Sequence, residues 1–118
     1  MNEPNNPIRN IQIYGNSFWI FYEKQTKKVQ ERILWTLRLI RDVPVVPARY
    51  LKHLEGTDGL YEIRVISGND IFRIFCFFDD GSLIIVLNGF QKKTQRTPVT
   101  EIERAKKLKR KYYEDKKR

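Results

Sequence analysis

The sequence predicts an α+β domain, a small antiparallel sheet with helices packed on one face. The elements run β-α-α-β-β-β-α. The clearest sign is the stretch Gly59 to Thr94, GLYEIRVISGNDIFRIFCFFDDGSLIIVLNGFQKKT, where apolar runs rich in β-branched and aromatic residues alternate with SGND and DDGS. Such runs joined by short polar turns read as hairpins, and Asp80-Gly81 is a strong turn signal. Upstream lies a stripe of apolar residues at helical spacing, and downstream a second stripe follows a Thr-Pro pair. Helices flanking a run of strands predict helices packed on one sheet.

Each element follows from its residues. Ile8 to Tyr14 (IRNIQIY) alternates in part, with Ile11 and Ile13 on one side, and predicts the first strand. Gly15, Asn16 and Ser17 offer a turn and a helix cap. From there to about Arg41, Phe18, Tyr22, Val29, Ile33, Leu37 and Ile40 form a core-facing stripe. Lys24, Lys27, Lys28, Glu31, Arg32 and Arg38 take the other face, and the less apolar EKQTKKVQ marks a bend or break. DVPVVP ends the helix, because proline lacks a donor and disfavours helix in the preceding residue. ARYLKHL predicts one short helical turn or an ordered loop, and GTDG a loop. Strands then follow at Leu60–Ile66, Ile71–Phe78 and Leu83–Gly89. The last helix, about 98–115, has Thr97 as N-cap, Pro98 in its first position and Glu101 and Glu103 at the positive end of its dipole. Val99, Ile102, Ala105, Leu108 and Tyr112 supply its apolar stripe.

All 118 residues fit one domain with a modest core. The single cysteine, Cys76, has no intramolecular disulfide partner and reads as a buried thiol in a reducing cytoplasm. MNEPNNPIRN is polar and lacks a stretch of signal-peptide character, and LIIVL is far too short to span a bilayer, so no membrane role is expected. No zinc spacing, Walker loop or nucleotide-binding glycine pattern is present, and no metal or cofactor is expected. The net charge is +9, and its location decides its meaning: residues 91–118 carry +8 and residues 1–90 only +1. A patch of this kind points to a polyanion, nucleic acid first and an acidic protein second.

Two arginines interrupt the apolar strands. With SGND as the loop, Arg64 falls opposite Arg73; with DDGS as the next turn, Arg73 falls opposite Asn88. All three then share one face with Glu62. Like charges directly opposite destabilise a sheet, so a carboxylate or a bound anion must offset them. Glu62 as counter-ion and a phosphate gripped by two guanidinium forks are both open on this pattern. Lys92 and Lys93 emerge where the last strand ends, and Thr94, Arg96 and Thr97 lead into a helix N-terminus, itself an anion site.

These residues carry a likeness. GLYEIR, FRIF and GFQKKTQ-TP in combination, within the run LKHLEGTDGLYEIRV to EIERAKK, resemble the RelE/ParE superfamily of bacterial type II toxins. The likeness is strongest to its HigB-like branch of phage-derived proteins and spans roughly Leu51 to Lys107. It implies a RelE-like fold and a metal-independent endoribonuclease that cuts mRNA in the ribosomal A site. In this reaction the 2′-oxygen attacks the scissile phosphate and the 5′-oxygen leaves. It also implies a cognate helix-turn-helix, HigA-like antitoxin, and contact with DNA only through the complex with it. Arg64 and Arg73 match the basic sheet positions used on the phosphate, and Lys92 and Lys93 the basic pair after the last strand. Where relatives of RelE carry a further lysine, this chain has Glu62, and the C-terminal tyrosine of some members has no match in TPVTEIE.

The remaining candidates are weighed by chemistry. His53 is the only histidine, and imidazole suits proton transfer near neutrality. Glu62 is either a proton acceptor for the 2′-hydroxyl or a counter-ion. Phe72, Phe75, Phe77, Phe78 and Phe90 read as core aromatics, with base stacking by Phe90, at its strand end, as the alternative. Lys52, Asn88 and Arg96, with Lys106, Lys107, Lys109, Arg110 and Lys111 on the last helix, form the expected contacts to mRNA and ribosomal RNA, and such binding falls steeply with salt. Two other functions fit the same residues: a non-catalytic gyrase inhibitor in the manner of ParE, and an RNA-binding module outside toxin biology.

Overall fold

The computed structural model describes residues 7–94 and 96–117. Its elements are β1 (Asn10–Ile13), α1 (Ser17–Glu23), α2 (Lys27–Asp42), β2 (Leu51–His53), β3 (Leu60–Ser67), β4 (Asp70–Phe78), β5 (Leu83–Lys92) and α3 (Val99–Lys116). The strands form one sheet in the order β1-β5-β4-β3-β2. The α+β class expected from the sequence is the one observed.

The predicted interruption of the first helix is real. Lys24 and Gln25 close α1 onto Phe21 and Tyr22, and Thr26 opens α2 by accepting a hydrogen bond from the Val29 N–H at 3.3 Å. Val43, extended before Pro44, ends α2. The helix's free carbonyls are met by Arg9, which donates to Ile40, Val43 and Pro44 oxygens at 2.7–2.9 Å. One guanidinium thus ties the entry to β1 to the end of α2.

Three details differ from the expectation. First, the sheet is mixed, because β1 pairs with β5 in parallel while the other pairs are antiparallel. Second, helices cover both faces. Ile63, Val65, Phe72, Ile74, Cys76, Ile84 and Val86 pack under α1 and α2; Leu60, Phe75, Phe77, Ile85 and Leu87 pack with Ala105 and Tyr112 of α3. FRIFCFF and LIIVL are apolar at nearly every position, which is how a strand buried on both faces reads. Third, ARYLKHL contributes an edge strand: β2 pairs with the first half of β3, and the Arg64 N–H donates to the Tyr50 carbonyl at 2.9 Å.

Cys76 is wholly buried, and burial pushes its thiol pKa up, so it packs as a small apolar group. No helix among the described residues is long and apolar enough to cross a membrane.

Candidate functional site

The β3–β4 hairpin sets the site. Gly68, with φ +59°, makes the tight turn that pairs Ser67 with Asp70. From there the ladder places Ile66 opposite Ile71, Arg64 opposite Arg73 and Glu62 opposite Phe75. The expected apposition of the two arginines is present.

The next strand corrects the reading of Asn88. Phe78 pairs with Ile84 and not Leu83, and a bulge then sets Leu87 and Asn88 of β5 against Phe75 alone. The two shifts bring Phe90, not Asn88, opposite Arg73, and Lys92 opposite Ile71. Asn88 turns instead to α3. Its Nδ2 donates to the Glu101 carbonyl at 3.2 Å and the Glu101 carboxylate at 3.1 Å, which hooks the first turn of the helix to the sheet. The glycine of LNGF was the available signal, because glycine inside a strand marks a bulge or a close approach. Here it marks both: a Cβ on Gly89 would lie 2.6 Å from Cδ2 of Phe21, on the α1 face.

The charges sit in an enclosed setting. Glu62 is 1% exposed and Arg73 6%, while Arg64 is half-buried. Arg73 Nη1 donates to Glu62 Oε2 in a buried ion pair. Arg64 has no carboxylate partner among the described residues. Lys52 pairs with Glu62 across β2 and β3 and so belongs to the same face. Lys92 reports the whole cluster. Its own burial, and then the guanidinium groups of Arg73 and Arg64, push its ammonium below the ordinary lysine pKa; Lys52 adds to the fall and Glu62 opposes it. One carboxylate therefore faces four cations.

The cluster also has hydrogen-bonding capacity that the protein leaves unused. Among the described residues, the buried side-chain polar atoms without a partner are Glu62 Oε1, Arg73 Nε and Asn88 Oδ1. Buried polar groups are nearly always paired, so two idle acceptors and one idle donor on a single sheet face form a concentration of unmet polarity.

The other predicted residues are spread around this centre. Lys93 is exposed and lines a shallow cleft with Lys92, Thr94, Asn69 and Asp70 at the hairpin tip. Arg96 is exposed; the helix cap lies at Pro98, one residue later than expected, with its carbonyl accepting from the Glu101 and Ile102 N–H groups. His53 is not brought in. It pairs with Tyr61 and packs edge-on against that ring, on the α2 side of the sheet, with centroids 5.1 Å apart. On α3, Lys107, Arg110 and Lys111 are exposed or nearly so and Lys106 is half-buried. Lys109 is tied down, its Nζ donating to the Asp58 carbonyl and lying 5.2 Å from the centroid of the Phe77 ring.

The family model described as Phage derived protein Gp49-like matches residues 21–110, from within α1 to within α3. No curated protein matches the chain. The matched segment holds all of β2 to β5 and with them the whole charged face. The chain belongs to the Gp49-like family of phage-derived proteins, a toxin-like family of the RelE/HigB type.

Proposed function

We propose that the protein is a toxin that cleaves messenger RNA on the ribosome. The observation that carries this reading is the cluster of Arg64, Arg73, Lys92 and Lys52 around a single buried carboxylate, with Arg73 Nε unused. A phosphate entering that face gains charge-assisted hydrogen bonds from fixed donors, and such donors stabilise the charge that grows on phosphorus oxygens in the transition state. The 2′-oxygen attacks the adjacent phosphorus and the 5′-oxygen leaves, giving a 2′,3′-cyclic phosphate and a 5′-hydroxyl. Arg64 and Arg73 grip the phosphate and align the attack. Glu62, through its free Oε1, is the group suited to accept the 2′-hydroxyl proton. Lys92, whose ammonium gives up its proton more readily than an ordinary lysine, is the group suited to return one to the leaving oxygen. Lys93, Arg96 and the exposed cations of α3 follow the RNA backbone and meet ribosomal RNA. The partner that silences the toxin is a HigA-like helix-turn-helix antitoxin, and the toxin acts in the cytoplasm.

Primer extension on a defined message, incubated with purified protein with and without translating ribosomes, tests the reading. Cuts confined to translated message, at codon-spaced positions, are expected. Cuts on naked RNA would keep the nuclease and remove the ribosome. Growth arrest without cuts would turn the charged face into a binding surface for another target, and RNA affinity with neither would leave an RNA-binding module.

A further inference from the structure

We infer that Phe90 is the base platform of this site: its ring stacks the nucleobase of the nucleotide whose phosphate Arg64, Arg73 and Lys92 hold. The inference rests on the phosphate-clamp reading above and adds a second, uncharged half to it. Phe90 is the direct cross-strand partner of Arg73, and Lys92 follows two residues on along the same face. Facing residues of a ladder stand about 5 Å apart, within the reach of a single nucleotide from phosphate to base.

Three observations make the ring a platform and not simply the rim of the core. It is half-buried, so part of it meets solvent on the charged face. The ring packs at the edge of the cluster that α3 closes, and Val99, the first residue of that helix, is 70% exposed. Phe90 is also held in place. Its ring leans on the fully buried Phe75, with centroids 5.4 Å apart, and the strand backbone next to it is fixed from the other face, where Phe21 fills the space beside Gly89 so closely that no Cβ fits. A rigid aromatic beside a cationic groove is how single-stranded RNA is held without regard to base identity.

The test compares a short fluorescein-labelled single-stranded RNA with an abasic ribose-phosphate strand of the same length, by fluorescence anisotropy at low salt. Wild-type protein should bind the intact strand about ten-fold more tightly than the abasic one. Phe90→Leu should bind both as wild type binds the abasic strand, and Phe90→Tyr should restore the preference in a protein that keeps the ring packed on Phe75. Circular dichroism of both variants checks the fold. A Phe90→Leu protein that still prefers the intact strand, or a wild type with no preference, would overturn the platform. Arg64→Ala separates this from the underlying reading: it should weaken both strands alike. If it weakens neither, the clamp fails and the platform falls with it.

Discussion

At the scale of single residues, Arg73 and Glu62 cannot be judged by deleting either one. Both are buried, and each is the other's counter-ion. Removing one leaves a buried charge uncompensated, which costs about 3–5 kcal/mol. Arg73→Ala and Glu62→Ala should therefore each lower the urea midpoint sharply, and replacing both with apolar residues of similar volume should recover much of the loss. A lost activity in Arg73→Ala would then report folding as much as chemistry. Arg64→Ala and Arg73→Lys are the cleaner probes. The first removes a half-buried cation with no carboxylate partner among the described residues; the second keeps a charge for Glu62 but loses the planar fork. Both should stay folded by thermal melting and lose most mRNA cleavage.

At the scale of elements, β5 and α3 decide how the site is presented. Gly89→Ala would drive a methyl group into Phe21 and should cost about 1–3 kcal/mol in a denaturant titration, with β5 pushed off α1. The far end of α3 is held by Asp79, which accepts from the Tyr112 hydroxyl and from Lys116 Nζ, each at 2.7 Å. These bonds hold the Asp79 carboxyl below the usual range, with Lys116 the larger cause, and push the Tyr112 phenol up to about 12. A carboxyl depressed in the folded state stabilises above its unfolded pKa of about 3.9, and the contribution disappears as pH falls through the folded value. Tyr112→Phe should cost about 1.5 kcal/mol at neutral pH, and the gap to wild type should narrow as acid titrates Asp79. The hairpin arginines were legible because a two-residue turn fixes its own register. The bulge left no mark in the alternation, because the strand is apolar on both faces; Gly89 in LNGF was its one sign. The edge strand β2 was hidden because LKH has only one apolar residue and gains its order from β3.

At the scale of the whole molecule, the charge excess gathers on one helix and one strand end, while the face under α1 and α2 is apolar. The asymmetry was readable from the sequence, because a run of lysines needs no fold to be counted. Its use is electrostatic reach: affinity for ribosomes or RNA should fall linearly in log–log with salt. Replacing the exposed Lys107 and Lys111 with glutamine should reduce that slope by about 0.7 for each single-strand phosphate no longer neutralised, without moving the thermal midpoint. The parallel pairing of β1 with β5 has a consequence in time. Asn10 finds its partner only at Leu83, so the first strand made has no neighbour until the last strand leaves the exit tunnel. Pairing across so much chain is slow to form. Phe90 and Lys92 arrive later still, and α3 after them. A growing chain carries Lys52, Glu62 and its two arginines before it has Phe90 and Lys92, so the charged face is completed only when the last strand joins the sheet. A partner already present in the cell has that interval in which to reach the chain first.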